Sequence, residues 1–360
     1  MPTYHKLTRL VVLAMTVLCS AALFLAVNAQ AIGSVKEPNA PPPPPTSTPS
    51  PLWLPIVTKE DQWSPIGDMP SGVNRFYDLA ACGLDDKRVL FAATNNGVYL
   101  YNATQNKWLR EDDAIPSGKI VPGVTFVPNG TCMGIYAASA GGIWYGHLAG
   151  SNWQWQRVDE QLSNAYSVLV VENTLYAAGN FGIATISPLP TTTMTTWALS
   201  NQVTTLTLSL TRNGNKTLAA VWGQGVFVEG KDPFNQPIWT RIGPEQAGVY
   251  EADTGTQNVV IAGTDSGLRR WTASSQWQAT GAEFPNSTFA VKAVGATLYA
   301  GQAKAGVLRS YDGGLNWFKM NNGLTSVNND GFQVRGFHIG TDGKLYAATT
   351  AGAWQWSGQP

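Results

Sequence analysis

The chain has 360 residues, 44% of them apolar and 13% charged, and its 23 basic and 23 acidic side chains leave no formal net charge. That length can bury a large core, and the charge balance gives no long-range pull toward nucleic acid or an acidic surface. Three cysteines with no C-x-x-C pair exclude a zinc ribbon and a thioredoxin-type redox pair.

At the N-terminus His5, Lys6 and Arg9 precede a mostly apolar run from Leu10 to Val27, and Ala29-Gln30-Ala31 offers an A-x-A exit. This order describes a secretory signal peptide, residues 1–31, cleaved after Ala31. The alternative is an uncleaved anchor, because an apolar run of about 18 residues reaches the lower limit for spanning a bilayer. Leu18 before Cys19 is too large for a lipoprotein signal. Residues 32–59 follow as a linker. The prolines from Pro41 to Pro51 cannot enter a helix or central strand and set a semi-rigid polyproline II stalk. The same composition also fits a disordered linker with no partner of its own.

From residue 60 to 360 one phrase recurs: a short apolar run, a small polar turn, a glycine and a second apolar run. Leu90-Phe-Ala-Ala-Thr-Asn-Asn-Gly97-Val-Tyr-Leu-Tyr101 is the first copy and Leu345-Tyr-Ala-Ala-Thr-Thr-Ala-Gly352-Ala-Trp-Gln-Trp356 the last. The aligned glycines are Gly97, Gly142, Gly182, Gly225, Gly267, Gly306 and Gly352, with separations of 45, 40, 43, 42, 39 and 46. Short strands on a period of roughly 40–50 residues predict propeller blades, here seven, and an all-β fold. A helical repeat is excluded, since no 3.6-residue stripe exists.

Tryptophan shares the period, at Trp63, Trp108, Trp155, Trp197, Trp239, Trp277 and Trp317. Trp63 has no glycine phrase before it, and the last phrase has no separate tryptophan strand after it. The two defects complement each other: Gln62–Ile66 is expected to supply the outer strand of the C-terminal blade and close the ring. Alanine pairs such as 92–93 and 347–348 fit the narrow wedge between blades, and tryptophan its wider part.

Ser310-Tyr-Asp312-Gly-Gly314-Leu-Asn-Trp317 matches the Asp-box S-x-D-x-G-x-x-W. With the repeated phrase, it resembles the Asp-box (BNR-like) β-propellers, among them sialidases, sortilin-type ectodomains and photosystem II assembly-factor-like propellers. The resemblance implies a structural turn made by Ser310, Asp312, Gly314 and Trp317 and says little about chemistry.

Chemical motifs are sparse. Past the leader only His147 and His338 remain, and no HExxH, EF-hand loop, P-loop or G-x-S-x-G occurs, so no metal and no cofactor is expected. On a propeller the 2–3 and 4–1 loops share one face. Carboxylates assigned to it, including Asp159, Glu251 and Asp265, could furnish the pair a glycosidase needs. The sialidase F/Y-R-I-P motif is missing. Aromatics and amides in the 2–3 loops nominate Asn95, Asn96, Phe181, Trp222, Gln224 and Asp265 as ligand-binding residues. Phe181 and Trp222 could equally cover the rim of the core. Cys82 and Cys132 are expected to form a disulfide between the first two blades.

The expectation is a secreted or cell-surface monomer without enzymatic activity. It would recognise an extracellular protein or glycan and not nucleic acid, and the leader would tether it to a membrane only if uncleaved. A glycosidase-like hydrolase using paired loop carboxylates is the alternative.

Overall fold

The computed structural model describes residues 61–360 except 84–88, 112–113, 116–118, 129–130, 160, 193–195, 245–247, 274–275, 282–283 and 326–330. The leader, the proline-rich segment and the acidic doublets 85–86 and 112–113 lie outside the described residues.

Seven four-stranded antiparallel sheets follow one another around an axis. Each runs from an inner to an outer strand in chain order; in blade 1 these are Phe76–Cys82, Val89–Thr94, Gly97–Asn102 and Lys107–Arg110. Among the described residues there is no α-helix, only a 3-10 turn at Thr256–Asn258. The seventh sheet is completed from the other end of the domain. Its order is Trp63–Pro65, Gly352–Trp356, Leu345–Thr349, Val334–Ile339, with Trp63 opposite Trp356 and Pro65 opposite Trp354. The expected borrowing of an N-terminal strand is what the structure shows, and it leaves the ring without an open pair of edges.

The repeated phrase has a local cause in every blade. All seven phrase glycines have positive φ, from 80° at Gly306 to 120° at Gly142, a region costly for residues with a Cβ. In four blades a hydroxyl clamps the turn before the glycine. Thr94, Ser139, Thr264 and Thr349 each donate to the carbonyl of that glycine and accept an N–H from within the turn. The small polar turn of the phrase is therefore a hydrogen-bonded device.

The second strands are buried on both faces, and the alanine pairs at 92–93, 137–138, 177–178, 219–220 and 347–348 are closed to solvent. Tryptophan fills the outer wedge. Trp63, Trp108, Trp155, Trp239 and Trp317 are buried, and Trp197 and Trp277 are half-buried. Several indoles also stitch a blade to its predecessor: Trp63 Nε1 donates to the Met320 carbonyl at 2.7 Å, Trp108 to Ile66 at 2.6 Å and Trp277 to Ile242 at 2.5 Å. Each of these three rings thus contributes area and a fixed interblade bond.

The Ser310–Trp317 turn is held by hydrogen bonds among its own residues. Asp312 Oδ1 accepts from the backbone of Leu315 and Asn316, Oδ2 accepts from the Asn316 side chain at 2.7 Å, and Ser310 Oγ accepts from Gly314 N at 3.0 Å. Burial pushes the Asp312 carboxyl up, but the bonds from Asn316, Ser310 and Leu315 outweigh it and hold the group below its ordinary range. Trp317 caps the turn from the buried side. The sulfurs of Cys82 and Cys132 lie at bonding distance, with Cα atoms 5.6 Å apart, and join the inner strand of blade 1 to the segment before Gly134–Ser139 in blade 2.

Candidate functional site

One backbone bond recurs in all seven blades and fixes which loops share a face. The N–H of a residue in each 2–3 turn donates to the carbonyl just ahead of that blade's inner strand. The pairs are Asn95 to Arg75, Ala140 to Ile120, Asn180 to Asn164, Trp222 to Leu206, Asp265 to Gly248, Ala303 to Ser287 and Thr350 to Gln333. The 2–3 turns and the inner-strand starts therefore form one rim around the axis.

Inside that rim lies a cavity of about 490 Å3, lined by the inner strands of all seven blades. Six of those strands carry a register shift next to their first residue, at Tyr77, Tyr166, Leu208, Tyr250, Phe289 and Arg335. A bulge re-aims its side chain, and all six line the cavity. Most are aromatic, and they form an arc with Trp222 of the rim. The Trp222 and Tyr250 ring centroids are 5.3 Å apart and those of Tyr250 and Phe289 4.7 Å. The Arg335 guanidinium then sits 4.3 Å from the Phe289 centroid and 5.6 Å from Tyr77, and that of Arg75 sits 5.7 Å from Tyr77. Burial, with Arg75 nearby, lowers the Arg335 pKa to about 10. Arg335 therefore stays charged at neutral pH.

Deeper in the cavity the polar side chains serve the fold. Inner strands are sheet edges facing the axis, so their outward N–H groups need acceptors. The next blade's strand finds them in side chains. Val124 N donates to Asp78, Leu210 N to Ser167, Val291 N to Glu251, Ala293 N to Asp253 and Ala81 N to His338 Nε2, all at 2.9–3.1 Å. Burial raises the Asp78 carboxyl to about 6 and the Glu251 carboxyl to about 8, and lowers the His338 imidazole to about 4. Lys292 Nζ lies 3.5 Å from Asp253.

The nominated residues divide. Trp222 and Asp265 both reach the mouth, flanking Gly248, where an added Cβ would meet Trp222 at 2.6 Å and Asp265 Oδ2 at 2.8 Å. Asn95 turns inward, and its Oδ1 accepts from Asn74 N at 2.9 Å and Arg75 N at 3.1 Å, fixing the backbone that carries Arg75. Asn96 Nδ2 donates to Tyr99 Oη, and Gln224 Nε2 to Thr205 Oγ1. Phe181 packs half-buried on the core between blades 2 and 3. Of the carboxylates read as loop groups, Glu251 sits elsewhere, and Asp159 lies in its 4–1 loop but is turned inward. Glu251 lies within the inner strand Val249–Thr254, on the cavity wall. Asp159 is buried and accepts from Ile143 N at 2.6 Å and Leu162 N at 2.7 Å, so it is structural. Sequence reasoning missed Arg335 and the ring of bulge residues as a site. Stacking the inner strands under the glycine phrase would have aligned them.

No family model matches the chain, and no curated protein matches it. Solved structures share the fold. The extracellular domain of the hybrid two component system BT4673 from B. thetaiotaomicron aligns with TM-score 0.65 at 13% identity over 82% of this chain. The chain spans only 40% of that protein's length. A structure described as YCF48 bound to D1 peptide aligns with TM-score 0.60 at 12% identity, covering 82% of this chain and 96% of that one. YCF48 from Cyanidioschyzon merolae gives 0.59 at 13% identity, with coverages of 82% and 98%.

Proposed function

We propose that this chain is a secreted or cell-surface recognition propeller that binds an extracellular protein or glycan through the rim and mouth of its axial cavity, without chemistry of its own. The observation that carries the reading is the arc from Trp222 through Tyr250 and Phe289 to Arg335, with Tyr77 and Arg75 beyond it. It is a concave, mostly aromatic surface with a few convergent polar groups, the usual composition of a binding site. Trp222 is 38% exposed despite its contact with Tyr250, so its face is available to a ligand. The extracellular and peptide-bound propellers among the structural neighbours are consistent with this role. The test is capture of extracellular polymers by the intact protein and by Trp222→Ala. The variant should keep its melting temperature and lose capture. Retained capture, or loss only through unfolding, defeats the reading.

The alternative, a glycoside hydrolase, would use Asp78 and Glu251, two carboxyl groups on one cavity whose pKa values of about 6 and about 8 are split by their surroundings. Each already accepts a strand N–H from the next blade, which explains its presence without catalysis. Glycan hydrolysis abolished equally by Asp78→Asn and Glu251→Gln, with the fold intact, would favour the hydrolase.

A further inference from the structure

Arg75 and Arg335 are an unusual pair of charges. Both flank the Tyr77 ring, and Arg335 is further packed against Phe289. Among the described residues neither makes an ion pair with an aspartate or glutamate. Arg335 Nη1 donates to the neutral Gln333 side chain at 3.2 Å, and Arg75 Nε is buried with no hydrogen-bond partner. Like charges drawn together and part-desolvated disfavour the empty site, and an anion bound between them reverses that. Other basic groups on the cavity wall are engaged: Lys292 faces Asp253, and Arg212 donates to Thr217. The mouth pair is the part of the wall left to receive negative charge.

We propose that Arg75 and Arg335 hold the carboxylate of an acidic sugar, a uronate residue whose ring stacks on the aromatic arc of the cavity mouth. The proposal rests on the recognition reading above and names the ligand chemistry of the same site. Planar guanidinium forks match the geometry of a carboxylate. A singly charged group suits the site better than a phosphate or sulfate, because Asp78 lines the same cavity and repels a second negative charge. The exposed face of Trp222, beside Tyr250, suits the C–H face of a pyranose ring, and the Tyr250 hydroxyl can meet its hydroxyls. A peptide that binds as an added strand needs an open sheet edge. Here the inner edges are already occupied, since Val124, Leu210, Val291, Ala293 and Ala81 donate their N–H groups to side chains. The cavity of about 490 Å3 falls in the range used for small ligands and admits a short stretch of sugar rather than a folded partner.

The test is calorimetric titration of the full-length protein with di- and trimers of galacturonate and glucuronate, their methyl esters, neutral cellotriose, and acetyl-Ala-Ala-Leu with a free carboxylate. At least one uronate oligomer should bind, and its methyl ester should bind about tenfold or more weakly. Arg75→Gln and Arg335→Gln should each show a similar loss at an unchanged melting temperature, with Arg335→Lys between them and the parent. Should the arginine variants fail to fold, the comparison of acid with ester on the parent protein decides alone. Equal binding of acid and ester, or no binding by any uronate oligomer, overturns the proposal. So does binding of the peptide carboxylate without the uronates. In those cases, a neutral sugar or peptide whose binding is lost in Trp222→Ala leaves the recognition site standing and removes only the uronate. If no ligand depends on Trp222, the site itself falls.

Discussion

Trp63 and Trp356 stand directly opposite each other in the seventh sheet, with ring centroids 5.5 Å apart, although they come from opposite ends of the described chain. Both rings are buried, and the Trp63 indole also bonds to Met320 of the preceding blade. One residue thus belongs to two blades at the seam where the ring closes. Trp63→Ala should cost about 3–5 kcal/mol, the range for deleting a large buried ring. Urea unfolding followed by tryptophan fluorescence measures it. Leu199→Ala, at an exposed position on an outer strand, is the control and should stay within about 0.5 kcal/mol. Equal effects would mean that the seam does not carry the ring.

The buried Glu251 carboxyl gives a pH signature. Its folded-state pKa of about 8 exceeds the ordinary value, so the folded protein keeps a proton that the unfolded chain has released. Between about pH 4.5 and pH 8 that linkage lowers stability as pH rises. Gln cannot titrate, and its amide oxygen can still accept the Val291 N–H that Glu251 accepts at 2.9 Å. Glu251→Gln should therefore be stabilising, with a margin over the parent that widens by about 1–3 kcal/mol from pH 5 to pH 8. His338 works in the opposite sense. Its imidazole is depressed to about 4, so stability is lost as pH falls from about 6.5 toward 4. That contribution is common to both proteins and cancels in the difference. A margin that stays flat or narrows with pH contradicts the assignment of Glu251.

The period of glycine and tryptophan was readable because each blade meets the same two demands, a positive φ at the 2–3 turn and a large ring in the outer wedge. Both demands act on single residue types at fixed spacing. Ring closure was readable for a related reason, since a tryptophan without its phrase and a phrase without its tryptophan can satisfy only each other. The mouth was not readable in the same way. Arg335, Tyr250 and Tyr77 come from three blades, and each is set by a bulge that breaks the strand's alternation, so residue parity does not reveal which side chain faces the axis. Glu251 was misplaced for that reason: it reads as a loop acid, yet it follows the bulge and lines the cavity. Asn95 looks like a ligand amide in sequence, while its oxygen is committed to the backbone ahead of the first inner strand.

Asp312 gathers the bonds that hold its turn, three accepted from Leu315 and Asn316 and one from Ser310. Asp312→Ala removes all of them from a turn that positions buried Trp317 and should cost about 1–3 kcal/mol. Because the carboxyl is held below its ordinary value, its contribution is present above about pH 4 and disappears as pH falls through the depressed value. The melting temperatures of parent and variant should therefore differ at neutral pH and converge in strong acid. Asp312→Asn, which keeps an acceptor oxygen, should lie between them at neutral pH. A variant as stable as the parent at pH 7 would show that the turn is held by its glycines alone.

Cys82 and Cys132 are 50 residues apart in sequence and connect two blades whose inner strands are already neighbours. In the chain-entropy view, closing a loop of that length stabilises the folded state by about 4 kcal/mol, because the loss of freedom falls on the unfolded chain. Export to an oxidising compartment is the condition under which the bridge forms and lasts. Thiol titration of the denatured, unreduced protein, with Cys19 replaced by serine, should find no free thiol, and reduction should release two. The Cys82→Ser, Cys132→Ser double variant should unfold at a lower urea concentration and keep its ligand binding, since neither residue lines the cavity. Two free thiols without reduction, or a double variant as stable as the parent, would remove the bridge from the account of how blades one and two are held together.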